Sequence, residues 1–150
     1  MIDGFIVHVA ARLAALEAGS DAAQDGARVD GTHRPASRGE RGAVSEQAAL
    51  AHGLRVRAGV LRETLRLLDE VPREPVERAR AGSLVGLEDE HGAETWWAIL
   101  PGGQGDRVAG ATVVSPGSPI ARALIGCEEG DPVQILQGGR SVDVVVVSVG

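Results

Sequence analysis

The spacing of apolar residues changes once along this chain, and that change most constrains what it can fold into. Up to Val71 they recur every three or four positions; beyond Ser83 they fall in short, β-branched runs. Phe5, Val9, Leu13 and Leu16 share one helical stripe, with Arg12 and Glu17 off it. Gly19 and Ser20 weaken its continuation. Residues 26–42 lack periodicity and carry Gly26, Gly31, Pro35, Gly39 and Gly42, which predicts a loop. Ser45 is placed to cap a second helix, in which Leu50, Leu54, Leu61, Leu65 and Leu68 form a seam with coiled-coil spacing. Gly53 and Gly59 each cost that helix about 1 kcal/mol against Ala, so packing on the first helix must offset them. Pro72 ends it. Two helices joined by a polar tip predict an antiparallel coiled-coil hairpin.

Residues 72–82, PREPVERARAG, read as a linker of prolines and charges closed by Gly82. Strand-like runs follow at SLVGLEDE, TWWAILP, AGATVVS, DPVQIL and SVDVVVVSVG, with hairpin loops at residues 89–92 and 137–140. SPIARALIG stands apart. There Ser118 suits an N-cap, Pro119 the first helical position and Gly126 the C-terminus, with Ile120, Ala123 and Leu124 on one face. The expected class is α+β: a helical hairpin domain over residues 1–75, then a small antiparallel β domain with one short helix over 76–150.

Charge supports two units. Residues 1–82 hold 12 arginines and 12 acids, whereas residues 83–150 hold 3 and 9, so the net −6 lies wholly in the second half. All 15 basic residues are Arg, which reads first as coding bias. An acidic chain does not favour non-specific nucleic-acid binding. With only Phe5, Trp96 and Trp97 as aromatics, an aromatic-lined ligand cleft or base-stacking platform is excluded. The single cysteine, Cys127, forbids an internal disulfide and fits a reducing compartment. The first eighteen residues lack a basic n-region, and no apolar run, Val144–Val147 included, is long enough to span a bilayer. The expected location is cytoplasmic, with no membrane partner.

Catalytic and metal patterns are missing. His8, His33, His52 and His91 lie in separate segments without ligand spacing, and Cys127 has no His or Asp at a motif offset. PGGQGD at 101–106 superficially resembles a phosphate loop. It lacks the Gly-Lys-Ser/Thr ending and the following helix, so it reads as a hairpin turn before Val108. The acids at 88–90 read as a solvated rim. No bound cofactor and no metal of its own is expected.

SPIARALIGCEEGDPVQIL resembles the signature of the C-terminal domain of bacterial GreA/GreB transcription elongation factors: Ser-Pro-[Ile/Leu]-x-Arg-Ala-Leu-[Ile/Leu]-Gly, then Gly-Asp-x-Val. GSLVGLEDEHGAETWWAILPGGQGD is similar to that family's first two strands and the next loop. GAVSEQAAL resembles its Gly-Asp-Leu-Ser-Glu-Asn tip motif, and LRVRAGVLRETLRLLDEVP the helix descending from it. The resemblance covers roughly residues 42–150 and more loosely the first helix. It implies an FKBP-like C-terminal domain docked on the rim of the secondary channel of bacterial RNA polymerase, with the hairpin inside the channel near the RNA 3′ end. Ser118, Pro119 and Arg122 become the polymerase-contact candidates, against the plainer reading that Leu124 and Ile125 simply plug the sheet. It further implies a monomer with no enzymatic activity of its own, at most stimulating the polymerase's transcript cleavage.

In cleaving members two tip acids help hold Mg²⁺ in the polymerase active site, a task for hard oxygen ligands. The matching positions here are Ala43 and Glu46, so the first acid is lost. Glu40 is the neighbouring candidate to replace it. Arg28, Arg34, Arg38 and Arg41 against Asp30 and Glu40 make the tip net positive. The expectation is a regulator that stimulates cleavage poorly. Two other readings are a short-hairpin Rnk-type polymerase binder and an FKBP-like prolyl isomerase. The isomerase needs several aromatics in one pocket, whereas Trp96 and Trp97 are adjacent and face opposite ways in a strand.

Overall fold

The computed structural model describes residues 1–31 and 38–150, with the backbone alone for 26–31 and 38–40. Two long helices, α1 (Ile2–Gly31) and α2 (Arg38–Asp69), precede six strands and one short helix. The strands are β1 (Leu84–Asp89), β2 (Glu94–Ile99), β3 (Gln104–Val108), β4 (Ala111–Val114), β5 (Pro132–Gln137) and β6 (Arg140–Val149), with α3 (Pro119–Leu124) between β4 and β5. The α+β class expected from the periodicity is the class observed. Contacts group Val7–Leu65 into one unit and Met1–Ile6 with Arg66–Gly150 into another. The change of period and the linker at 72–82 suggest a division at residue 75.

In the helical unit α1 and α2 run antiparallel. Arg62 bonds Glu17 at 2.5 Å, and the Ser20 hydroxyl donates to the Ala51 carbonyl at 3.4 Å. A Cβ on Gly19 would lie 3.5 Å from Leu54. Both helices exceed their expected limits. α1 runs on through Gly19 and Ser20 because these are small residues at the crossing, where Ser20 is buried and its hydroxyl bonded. α2 begins seven residues before Ser45, which therefore lies inside the helix rather than capping it. Propagation adds one hydrogen bond for each residue fixed, so a packed helix extends upstream through Gly39 and Gly42 despite their propensity. Of the predicted loop, residues 32–37 lie outside the described residues.

Within the helical unit the buried positions of α1 are Val9, Ser20 and Ala23, with Leu13 and Leu16 half-buried between them: alternating steps of four and three. On α2 the facing row is Ala51, Leu54, Ala58 and Leu61. Leu50 is 53% exposed, so it leaves the expected seam and Ala51 takes its place. Close helix approach selects the small side chain.

The second unit is a single sheet in the order β3-β4-β2-β1-β6-β5. Neighbours pair antiparallel except β2 and β4, which run parallel. The parallel pair arises because β3, read from sequence as part of a turn, is a strand that fills the edge and returns the chain into β4. Gly103 permits this: a Cβ there would meet the Val114 backbone at 2.7 Å. One face of the sheet packs Val85, Leu87, Ile99, Ile135 and Val146 against Ile120 and Leu124 of α3. Trp97 packs on that core, while Trp96 lies across Gly86 on the other face, where a Cβ would be 3.0 Å from its ring.

Residues 72–82 have no regular structure but are stitched in place. Ala79 is buried, donates its N–H to the Cys127 carbonyl at 2.9 Å and accepts from Gly126 at 2.7 Å. Gly82 takes φ 102°, with Val71 packed where a Cβ would stand. Phe5 and Leu68 are fully buried within this unit, and Arg73 pairs with Asp3 at 2.8 Å.

Candidate partner-binding surfaces

α3 is six residues long, too short to persist without tertiary support. Its ends are closed by local bonds. The Ser118 hydroxyl accepts from the Ala121 N–H at 3.2 Å, and Pro119 sits at the first position, where its missing N–H costs nothing. At the other end Ile125 donates to the Ala121 carbonyl at 2.8 Å, and Gly126 turns away at φ 91°. Ile120, Ala121 and Leu124 are buried. Ala121 rather than Ala123 completes that face, and Ala123 is half-buried.

The outward line is Pro119, Arg122 and Ile125, at steps of three, all exposed. Ser118 is half-buried and its oxygen is engaged in the cap, so it sets the loop. Ile125 does not plug the sheet. It is 42% exposed beside Arg122, on the outward line that the helical step of three from Pro119 marks.

The next turn is equally fixed. Asp131 accepts from the Glu128 N–H at 2.8 Å, Glu128 pairs with Arg78, and Glu129 accepts from Val149 at 3.2 Å. Cys127 is half-buried and its thiol donates to the Ala123 carbonyl at 3.3 Å. Burial, with a smaller push from Asp131, raises its pKa above the ordinary 9.0, which disfavours the thiolate.

At the other surface, Glu40, Ala43 and Glu46 are successive positions three apart on α2. Ala43 and Glu46 are exposed. A step of three moves about 60° around a helix and about 4.5 Å along it, so Glu40 occupies a place one turn away from Ala43. Its side chain, with those of Arg28, Asp30, Arg34 and Arg38, lies outside the described residues. Arg41 is exposed. No group of three His, Cys, Asp or Glu residues suited to a metal ion exists among the described residues, the acids at 88–90 included. No helix among them is long and apolar enough to cross a membrane.

A family model described as "Transcription elongation factor, GreA/GreB, C-term" matches residues 74–150, just over half of the chain. The chain belongs to the GreA/GreB family. Two curated relatives carry the name transcription elongation factor GreA. The protein of Thioalkalivibrio sulfidiphilus (strain HL-EbGR7) is 42% identical over 69 residues, covering 45% of this chain and 42% of its own. That of Verminephrobacter eiseniae (strain EF01-2) is 46% identical over 70 residues, covering 45% and 43%. The match thus spans under half the length of these GreA proteins. Among solved structures, the GreA factor homolog 1 (Gfh1) protein of Thermus thermophilus aligns over 97% of this chain and 94% of its own, at 16% identity and a TM-score of 0.45. A GreA/GreB factor from Nitrosomonas europaea aligns over 59% and 78%, at 20% identity and 0.42. The GreA/GreB family match begins at Glu74 and so includes α3 but neither of the long helices.

Proposed function

We propose that this protein binds bacterial RNA polymerase at the rim of the secondary channel and modulates elongation by occupying that channel. Membership of the GreA/GreB family, resting on the stretch that holds α3, is the observation that carries the reading. Pro119, Arg122 and Ile125 supply the contact line, and Ser118 holds it in register. The hairpin reaches toward the polymerase active site and the RNA 3′ end. The chemistry of cleavage belongs to the polymerase, and the factor works as a cytoplasmic accessory protein.

The tip argues for weak stimulation of cleavage. Mg²⁺ is held by carboxylate, carbonyl and water oxygens, and the methyl of Ala43 offers none. Glu46 supplies one exposed carboxylate on α2, so the two matching positions, Ala43 and Glu46, do not make a paired-acid tip, and we derive no metal-assisted step from them.

Transcript cleavage on a backtracked elongation complex tests this, beside competition with an authentic cleavage factor. The expected outcome is little cleavage together with displacement of the competitor, and a gain of cleavage in Ala43→Asp. Robust cleavage by the natural sequence, abolished by Glu46→Ala, would overturn the reading.

A further inference from the structure

The two ends of α3 are held by different parts of the chain. Its start is closed by Ser118 alone, within the same turn. Its end leaves the helical region at Ile125, ψ 127°, and turns at Gly126, φ 91°. No atom lies within 4 Å of where a Cβ on Gly126 would stand, so nothing packs against this turn. Its own backbone bond runs from the Cys127 N–H to the Leu124 carbonyl at 3.0 Å and leaves both polar groups of Gly126 to find partners elsewhere.

Both partners come from the linker. Ala79 is buried in the same cluster as Ile120, Ala121 and Leu124. Its carbonyl accepts from the Gly126 N–H at 2.7 Å, and its N–H donates to the Cys127 carbonyl at 2.9 Å. Arg78, next to this anchored residue, closes the clamp. One guanidinium nitrogen donates to the Gly126 carbonyl at 3.3 Å, and the other pairs with the Glu128 carboxylate. A planar fork can hold a carbonyl and a carboxylate at once, in one geometry. Arg78 is exposed, and an exposed ion pair contributes little to stability, so its effect is on direction.

We propose that Arg78 is a positioning residue for partner docking: by holding the Gly126 carbonyl against Glu128, it fixes the direction in which Ile125 faces the polymerase. This rests on the reading of α3 as the docking element. Ser118 sets one end of the contact line, and Arg78 sets the other from a segment some forty residues earlier.

Arg78→Ala, Glu128→Ala and the double variant of the full chain test it, by NMR of the free protein and by affinity for RNA polymerase. Each single variant should move the Ile125 methyl resonances and speed amide exchange at Gly126. Affinity should fall about three- to fivefold in either one and no further in the double, because the two side chains act as a unit. The unfolding midpoint should hardly move, so a purely structural role would leave affinity unchanged. Loss confined to Arg78→Ala, or losses that add in the double variant, would make Arg78 a direct contact and overturn the proposal. So would Ile125 and Gly126 signals that stay in place in Arg78→Ala. Failure of the natural chain to bind polymerase would remove the docking reading itself. Equal binding by the natural chain and the variants would remove the positioning role alone.

Discussion

α3 and the helical hairpin are both helical, yet they are specified in opposite ways. Within about ten residues α3 has a side-chain cap, a proline start, a left-handed glycine stop and three buried side chains. The α1–α2 pair spreads its specification over two helices of 30 and 32 residues, through a row of small side chains at steps of three and four. Local chemistry demands particular residues at particular positions. A heptad seam demands only size and spacing. The family match covers the first kind of region and omits the second.

The largest effects should break the contrast at its two cores. Leu124 is fully buried between α3 and the sheet, so Leu124→Ala is expected to cost about 2–5 kcal/mol through lost burial and a residual cavity. Denaturant unfolding followed by Trp fluorescence measures this, since Trp96 and Trp97 both lie in the sheet. The hairpin should respond to the reverse change. Ala51 is 2% exposed where the helices approach, so Ala51→Leu is expected to overpack the crossing and cost about 1–3 kcal/mol. Helical circular dichroism reports it. A Leu50→Ala change, one residue away on the exposed side, should be nearly silent by the same measure.

The same contrast explains what could be read from the chain. The switch of period at Pro72–Ser83 revealed both units. Ser118, Pro119 and Gly126 announced α3, because cap, start and stop each have one strong residue preference. The α2 start was misplaced because Ser45 looks like a cap in isolation, while the helix is set by cooperative extension through glycines that propensity marks as breaks. Leu50 was misassigned because a leucine count cannot see that the crossing needs alanine. β3 was hidden by the glycines at 102, 103 and 105, which sequence reads as a turn, whereas Gly103 lets the chain pass close to Val114 as it enters the edge strand. Ile125 was missed as a surface residue because apolar character suggested burial.

Ser118 offers a sharper and smaller test. Ser118→Ala removes the cap and is expected to cost about 1 kcal/mol of stability. Ser118→Asp keeps a capping oxygen and should retain most of it. If Ser118 acts by setting the loop, polymerase affinity should follow stability across the two variants. Equal loss of affinity in both, with stability kept in Ser118→Asp, would make Ser118 itself a contact.

The smallest effect lies at the β1–β2 turn, where specification is again local. The Asp89 carboxylate accepts from the backbone N–H of His91 at 2.8 Å and of Ala93 at 2.9 Å. The Ala93 bond, then that of His91, holds its pKa below the ordinary 3.8. A carboxyl whose pKa is depressed on folding contributes stability above its unfolded value and loses it as pH falls through the folded one. The turn should therefore loosen only below pH 3.8, and the carboxyl carbon of Asp89, followed by NMR, should titrate below that value. Asp89→Asn keeps an acceptor but not the charge, so it should remove this pH dependence while leaving the β1–β2 register intact. A midpoint at or above 3.8 would mean that the two N–H groups do not hold the carboxylate in solution, and that this turn rests on Gly92 and strand pairing alone.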